Sequence, residues 1–391
     1  MNKHQEPVCK PCTKKVEILR SLGEDNLWDD FKKFLLGPYA RNHFPTPHLR
    51  DYLVVLEKVI DLKEKLSSTT TIPSEYEELK TLRWIEDSTK YPLSLDGVLG
   101  NFNVLEDIVD NSLPIDSKSK RKFLQDQGAK LSPHFSGDLI HLPFAHSQSY
   151  LDELELLALE CKPLDEETPL NLDILNAAKN GVSTALSSLN LLDKSRIVIS
   201  VTGTPGHHAS FNRNYGGLCY YNNAATLACR LTAKRINTAV LDLDSHFGNG
   251  TADIANLHKL PVIDLHEQTW ASPFSEGGNP IQTNYTFSHP LAIASNRDLY
   301  LISLRKAIKR IRQLDLSVLI VSLGVDAHIN DPFGLLALDT ETYVEIGKEL
   351  GSLLDSSNLK CIFLTEGGYG KLSPYLFALT VSEANRNLYK N

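Results

Sequence analysis

Three side chains that could hold a cation follow one another at every second position of a short stretch. The apolar residues 239–241 predict a buried strand, and Asp242, Asp244 and His246 come next at alternate positions. Side chains two residues apart on a strand point to the same side of it. Because burying unpaired carboxylates is strongly unfavourable, this spacing indicates a bound cation that neutralises them.

A second strand end could complete this metal site. The apolar segment 317–324 predicts a strand, and Asp326 follows it two residues later. Two carboxylates and one imidazole suit a zinc ion and leave one coordination position for water or substrate. The set Asp244, His246 and Asp326 is therefore the candidate metal site. The alternative is structural: Asp244 would cap a loop, and His246 would be a hydrogen-bonded interior histidine.

Adjacent histidines, His207 and His208, follow a Pro-Gly turn after the strand predicted at 196–203. Such a pair could act as a general base and its electrostatic partner if each ring is oriented through its far nitrogen. Asp242 and Asn249 lie in the neighbouring motif and are the candidates for this role. A carboxylate keeps an imidazole basic and a neutral amide does not, so the two partners would separate the two roles at one pH. The alternative is a surface turn that carries two histidines.

A phenol follows the last predicted strand. In the sequence Glu-Gly-Gly-Tyr at 366–369, the glycines let the backbone approach the site closely. The hydroxyl of Tyr369 can then donate to a developing oxyanion. Read alone, the motif equally suits a core tyrosine.

Alternating helices and strands from about residue 170 must position these groups. Helical patterns lie at 171–192, 223–235, 297–314 and 339–354, and apolar strands at 196–203, 238–244, 261–266, 317–324 and 361–368. Such alternation predicts an α/β fold with a parallel sheet covered by helices on both faces. The carboxyl ends of parallel strands meet at one edge of the sheet, so we expect the candidate residues to converge there.

The first 135 residues differ from the rest. Helical patterns at 14–37 and 48–66 precede a polar connection at 67–78. We predict a helical N-terminal extension and insert over 1–135 that packs on a core formed by 136–391. Both parts are expected to belong to a single large domain.

The composition is that of a globular protein. The 391 residues carry a formal net charge of −8, with 42% hydrophobic and 23% charged residues. This charge disfavours nonspecific nucleic-acid binding but is compatible with a basic partner. No apolar run approaches the roughly 20 residues that span a bilayer, and the N-terminus lacks the apolar stretch of a signal peptide. Six cysteines do not suggest a disulfide framework, so we expect a reducing compartment, the cytoplasm or the nucleus.

Five motifs together resemble the zinc-dependent histone deacetylase family. They are PGHHA at 205–209, GGLCYYNNAA at 216–225, LDLDSHFGNGT at 241–251, GVDAHINDPFG at 324–334 and EGGYG at 366–370. The chain is similar to the class II branch, as a bacterial-type member with an unusual N-terminal region. The resemblance covers roughly residues 140–380. It implies the arginase–deacetylase fold, with a central, mostly parallel sheet of eight strands.

The resemblance also implies roles for the candidate residues. The three candidate ligands are expected to hold one zinc ion per chain. His207 and His208 are expected to form the catalytic pair, oriented by Asp242 and Asn249 respectively. Tyr369 is expected to polarise the substrate carbonyl.

A potassium site and a substrate tunnel are implied in the same way. Potassium would lie beneath the zinc, near Asp242, Asp264 and Leu265. The expected substrate-binding residues are Asp165, Gly217, Leu218, Trp270, Phe274, Gly367 and Gly368. Two positions depart from the family, because Leu218 stands where a tunnel Phe is usual and Phe247 where a second His is usual. These changes affect the expected substrate more than the expected reaction.

The reaction expected from the resemblance is zinc-dependent hydrolysis of the acetyl amide of N6-acetyl-lysine in proteins or peptides, with histone tails as the leading substrate. Hydrolysis of acetylpolyamines or other small amides is one alternative, and a non-catalytic acetyl-lysine-binding module is another. A two-manganese ureohydrolase of the same fold would need carboxylates at positions 248 and 328, which are Gly and His. The sequence leaves the acyl group, the oligomeric state and the role of residues 1–135 open.

Overall fold

The computed structural model describes residues 90, 91, 93, 95, 99–102, 124, 130–131 and 139–388, except for 166–167, 214–215, 269–282, 332 and 371. Most of the predicted N-terminal extension lies outside the described residues. Two predicted tunnel residues, Trp270 and Phe274, also lie outside them.

Eight strands form one sheet within the described part of the chain, and every pairing between them is parallel. They are β1 (Leu99–Phe102), β2 (Lys130–Leu131), β3 (Ile197–Val201), β4 (Thr238–Asp242), β5 (Val262–Glu267), β6 (Thr286–Leu291), β7 (Val318–Leu323) and β8 (Lys360–Thr365). Their spatial order is β2-β1-β3-β8-β7-β4-β5-β6. The predicted α/β fold with a parallel sheet is confirmed. Because β1 and β2 precede residue 135, the sheet continues into the segment predicted as an extension.

Helices cover both faces of this sheet. They are α1 (Leu142–Ala145), α2 (Gln148–Leu159), α3 (Leu172–Ser187), α4 (Asn223–Ala233), α5 (Asn249–His258), α6 (Arg297–Ile311), α7 (Thr340–Asp355) and α8 (Ser373–Leu388). Among these helices, none combines the length and the apolar character that a bilayer-spanning helix requires.

The strands divide their side chains between two apolar layers. Ala239 and Leu241 of β4 pack in the layer that contains residues of α6, α7 and α8, whereas Val240 packs in the layer that contains residues of α2, α3 and α4. This alternation follows from the two-residue repeat of a strand. The continuous apolar runs predicted as strands are therefore apolar on both sides because both sides are covered.

Side chains fix the starts of most of the longer helices. Each capping side chain accepts a hydrogen bond from a backbone N–H of the first helical turn, as is common at helix N-termini. The caps are Ser147, Asn171, Asn222, Asn296 and Asp339. The caps of α4 and α7 hold the helices that follow the site loops.

Four neighbouring strands carry the candidate residues. In the order β3-β8-β7-β4, these strands are adjacent and parallel, so the loops after them leave from the same edge of the sheet. Asp242 at the end of β4 lies opposite Ser322 of β7, and Leu323 of β7 lies opposite Thr365 of β8. The register thus brings four loops, distant in sequence, to one place.

Candidate metal centre and active site

The predicted metal ligands lie together. Asp244 and His246 follow β4 and Asp326 follows β7, and one ligand atom from each lies within 4.8 Å of the others. The Nδ1 atom of His246 lies 3.2 Å from Oδ1 of Asp244 and 2.9 Å from Oδ2 of Asp326. Among the described residues, this is the group of His, Cys, Asp and Glu side chains that could hold a metal ion.

Backbone hydrogen bonds hold both carboxylates in place. Oδ2 of Asp244 accepts the N–H of Gly367 at 2.8 Å, and Oδ1 of Asp326 accepts the N–H of Ser245 at 2.8 Å. Within the described chain, the other oxygen of Asp326, Oδ2, is buried and receives no hydrogen bond of good geometry, although Nδ1 of His246 lies 2.9 Å from it. A buried carboxylate oxygen without a donor is costly, and a cation at this point would satisfy it. The donor set and this oxygen therefore fit a zinc ion.

The electrostatics of the three ligand side chains point the same way. Burial disfavours the charged form of His246, but Asp244 and Asp326 outweigh it and raise the pKa of this imidazole well above its usual value. Burial, and then the charge of Asp244, raise the pKa of Asp326 to about 7. Both shifts arise from carboxylates buried close together, an arrangement that a divalent cation would stabilise.

The two adjacent histidines have the predicted partners. His207 Nδ1 lies 3.1 Å from Oδ2 of Asp242, and His208 Nδ1 lies 2.9 Å from Oδ1 of Asn249. The two ring centroids are 4.0 Å apart, and both rings are buried. Nε2 of His207 lies 3.7 Å from Asp244, which places the pair beside the metal ligands.

Opposite pKa shifts distinguish the two rings. Burial favours neutral His207, but the carboxylates of Asp244 and Asp242 overcome it and raise the pKa of His207 to about 10. Burial lowers the pKa of His208 well below 6.5, and the neighbouring His207 and His246 lower it further. These directions favour a protonated His207 and a neutral His208 that can accept a proton.

A buried carboxylate holds the loop that carries Tyr369. Oδ2 of Asp331 accepts the backbone N–H groups of Tyr369 at 2.7 Å and of Gly370 at 2.9 Å. Oδ1 of Asp331 accepts the N–H of Phe333 at 3.0 Å, and the Phe333 ring packs edge-to-face on the Tyr369 ring. Burial, followed by the charge of Asp244, raises the pKa of Tyr369 well above 10, so the phenol keeps its proton at neutral pH.

The predicted tunnel residues within the described chain fall into two groups. Gly217 lies against the His208 ring, where an added Cβ would come within 2.4 Å of it. Gly217 and Leu218 both have positive φ, 62° and 61°, a conformation that costs Leu218 energy. Asp165 packs against the preceding residue, Gly216.

The second group, Gly367 and Gly368, lies behind the metal ligands. A Cβ on Gly367 would come within 2.6 Å of Asp244 Oδ2 and 2.8 Å of Asp326 Oδ2. Gly368 has a φ of 132°, which favours glycine. The loop therefore needs small residues to pass the ligand carboxylates.

The residues predicted for potassium surround Gly248. A Cβ on Gly248 would come within 2.5 Å of Asp242 Oδ2 and 3.1 Å of Asp264 Oδ2. Asp264 already accepts the N–H of Gly248 at 2.9 Å and contacts Nδ1 of His266 at 2.7 Å. Leu265 is a buried residue of β5. Potassium binding stays a prediction.

Two buried acids near the site have no predicted role. Glu366 accepts hydrogen bonds from the N–H of Gly206 and the hydroxyl of Ser322, and Glu267 lies beside His246. Glu366 follows an apolar run and Glu267 ends a buried strand, and an acid at the end of a buried strand is the sequence signal that could have identified them. Asp331 belongs to a quoted motif, but the sequence gives no hint that it holds another loop.

The chain is similar to proteins of one known family. Residues 114–380 match the model of the histone deacetylase domain. The chain is 33% identical over 216 residues to acetylpolyamine amidohydrolase 2 of Pseudomonas aeruginosa, a match that covers 52% of this chain and 61% of that protein. It is 29% identical over 240 residues to histone deacetylase 6 of Caenorhabditis elegans, covering 56% of this chain and 24% of that one.

A solved structure shares the fold. The crystal structure of acetylpolyamine aminohydrolase from Burkholderia pseudomallei superposes with a TM-score of 0.62 at 19% identity, covering 75% of this chain and 99% of the other. At this identity the likeness concerns the fold alone. The domain match, which covers more than half of the chain, carries the assignment: the chain belongs to the histone deacetylase family and has the arginase–deacetylase fold.

Proposed function

We propose that the protein is a zinc-dependent amidohydrolase that removes the acetyl group from acetylpolyamines. The proposal rests chiefly on one arrangement: a neutral imidazole, a protonated imidazole and a three-ligand metal centre within one buried site. The similarity to acetylpolyamine amidohydrolases supports the polyamine substrate. The proposal therefore takes the alternative of the sequence analysis, and protein-bound acetyl-lysine becomes the second candidate.

The side chains of the site divide the proton transfers. A bound zinc ion supplies Lewis acidity toward the acetyl carbonyl and the attacking water. His208 accepts a proton from the water as the water oxygen attacks the carbonyl carbon. It can do so because the low pKa of His208 leaves the ring neutral. His208 then returns that proton to the leaving amine as the C–N bond breaks, which gives acetic acid and the amine; proton transfer between them leaves acetate and a protonated amine. Protonated His207 and the hydroxyl of Tyr369 stabilise the negative charge that develops on the carbonyl oxygen.

A polyamine would find acidic surroundings at this site. Asp165 lies beside the 216–218 loop that lines His208, and its carboxylate can pair with an ammonium group of the substrate. The net charge of −8 also favours polycationic substrates over neutral ones. We further propose that potassium binds near Asp242, Asp264 and Leu265, beneath the zinc.

The second candidate is an acetyl-lysine peptide. The similarity to histone deacetylase 6 of Caenorhabditis elegans favours it. Both substrates carry the same N-acetyl amide at the end of a methylene chain. At the other end of the chain, a polyamine has a charged amine and a peptide has its backbone.

The test compares kcat/KM for a monoacetylated diamine, a monoacetylated triamine and acetyl-lysine peptides, with the zinc-loaded protein. We expect the acetylated amines to exceed the peptides by about tenfold or more. If kcat/KM is instead about tenfold higher for the peptides, the second candidate replaces the proposed substrate.

A conservative variant separates an enzyme from a binding module. Tyr369→Phe removes one hydroxyl and is expected to lower kcat about 100- to 1000-fold. Zinc content should stay unchanged, because Tyr369 is not a ligand. If the zinc-loaded wild type turns over none of these substrates, the hydrolase proposal fails and a non-catalytic acetyl-lysine-binding module takes its place.

A further inference from the structure

Glu267 is a buried acid beside the metal centre. It is the last residue of β5 and is 4% exposed. Its Oε2 atom accepts hydrogen bonds from the hydroxyl of Ser245 at 2.8 Å and from the N–H of Leu335 at 2.6 Å. Its other oxygen, Oε1, faces Nε2 of His246 at 4.0 Å. The carboxylate thus contacts the ligand segment with one oxygen and faces a ligand ring with the other.

The contact with Ser245 bears on all three ligands. Ser245 lies between Asp244 and His246 in the sequence, and its N–H donates to Oδ1 of Asp326 at 2.8 Å. The backbone N–H of Glu267 also donates to the carbonyl of Ser245 at 2.8 Å. Glu267 therefore holds Ser245 by its side chain and by its main chain. Through Ser245, Glu267 fixes Oδ1 of Asp326, which leaves Oδ2 as the oxygen that can bind a cation.

The position of Oε1 bears on the tautomer of His246. Nδ1 is the nitrogen that faces both ligand carboxylates, so it must lack a proton to bind a metal ion. The ring proton must then lie on Nε2, the nitrogen that faces Glu267. A carboxylate behind a metal-bound imidazole commonly fixes this tautomer and makes the imidazole a better ligand. At 4.0 Å the contact is longer than a hydrogen bond, and a shift of about 1 Å or one bridging water would close it.

We propose that Glu267 is a positioning residue of the metal centre, which orients His246 through Oε1 and the Ser245–Asp326 pair through Oε2. The inference deepens the proposed function, since it requires a metal ion at Asp244, His246 and Asp326. A purely structural role, in which Glu267 only ties β5 to Leu335, would leave metal affinity unchanged.

The test is the dissociation constant for Zn²⁺, measured by competition with a chromophoric chelator, in the wild type and in Glu267→Gln. The amide turns either its NH2 group, which cannot accept the Nε2–H of His246, or its oxygen, which carries no net charge, toward the ring, and we expect Zn²⁺ to bind about 10- to 100-fold more weakly. The matched control is Glu383→Gln, which makes the same change in a buried acid of α8 that pairs with Arg386. This control should bind Zn²⁺ within about twofold of the wild type.

A second variant covers a failure of Glu267→Gln to fold, judged by circular dichroism and thermal unfolding. Glu267→Asp keeps the charge but withdraws it by one methylene, and we expect about threefold to tenfold weaker binding. Wild-type affinity in either folded variant overturns the inference while the proposed function stands. Failure of the wild type itself to bind Zn²⁺ overturns both, so the two failures are distinguishable.

Discussion

At the scale of single residues, the partners of the two histidines explain their opposite behaviour. Both rings are buried, and burial alone lowers the pKa of each. Two carboxylates reverse this effect at His207. At His208, the hydrogen bond to the neutral amide of Asn249 and the charge of Asp244 raise the pKa less than burial and the neighbouring histidines lower it. The Asp242 and Asn249 pairs were predicted from the sequence, and so was the direction of the difference between the rings.

Replacing that amide should move the pH profile. Asn249→Asp places a carboxylate beside His208, which stabilises the protonated ring and raises its pKa. Since protonated His208 cannot accept a proton from water, the acidic limb of the kcat/KM profile should shift to higher pH by about one unit or more. The profile is measured on the fastest substrate. An unchanged acidic limb in a folded, zinc-loaded variant would show that His208 is not the base.

The close approach of Gly367 to the ligands gives a steric prediction. In Gly367→Ala, the new Cβ would lie 2.6 Å from one ligand carboxylate and 2.8 Å from another. We expect at least about a tenfold loss of Zn²⁺ affinity, measured by chelator competition. The control is Gly370→Ala in the same loop, where the nearest atom lies 3.1 Å away. Equal affinities in the two variants would contradict the argument.

At the scale of elements, loops rather than strands set the geometry of the site. Asp331, in the loop after β7, receives backbone N–H groups from the loop after β8 at 2.7 and 2.9 Å. Asp331 thereby fixes Tyr369 relative to Asp326, because Asp326 lies near the start of the same loop as Asp331. This link was not predictable from the sequence, because it joins two backbones through one side chain and leaves no periodic pattern.

Asp331→Asn tests this link. The amide has one acceptor oxygen and cannot serve both loops, so Tyr369 should lose its fixed position. We expect kcat to fall about 10- to 100-fold, while KM and Zn²⁺ affinity change little. A parallel loss of Zn²⁺ affinity would show that Asp331 supports the metal centre and not the tyrosine loop.

Several elements escaped the sequence analysis, and strand β6 and helix α8 did so for opposite reasons. Strand β6, at the edge of the sheet, contains Pro290 and several polar residues, so it lacks the apolar run of the inner strands. Helix α8 is buried at nearly every position, so it lacks the alternation of polar and apolar faces that indicates a helix. Hydrophobic periodicity predicts helices and strands that bury one face, and apolar runs predict strands that bury both. It misses a strand with many polar residues and a helix that neighbouring elements cover on all sides.

At the scale of the whole molecule, the sequence predicted the class of fold and the convergence of four strand ends. Both follow from local patterns and from a rule about parallel sheets. The strand order β2-β1-β3-β8-β7-β4-β5-β6 was not predictable in the same way. It depends on which apolar faces pack together, and the inner strands are similar in composition.

The stability of the whole molecule should depend on pH through His146. Its Nδ1 contacts the carbonyl of Ser210 at 2.8 Å and its Nε2 accepts the N–H of Asn222 at 3.0 Å, so the ring is neutral and bridges two segments. Burial is the main cause that lowers the pKa of His146, to about 4. The unfolded chain therefore binds this proton at about pH 6.5 and the folded chain only near 4. The stabilisation is complete above pH 6.5 and is lost as the pH falls from 6.5 toward 4.

His146→Gln removes this dependence while keeping a donor and an acceptor. We expect the variant to be less stable than the wild type at pH 7.5. The difference in unfolding free energy, measured by denaturant titration, should shrink by about 2 kcal/mol between pH 7.5 and pH 5.0, because only the wild type loses stability to protonation of this ring. The other histidines contribute equally to both proteins and cancel in the difference. A gap that stays constant over this range would mean that His146 is protonated in the folded chain or shielded in the unfolded one, and the bridge between Ser210 and Asn222 would not be the origin of acid sensitivity.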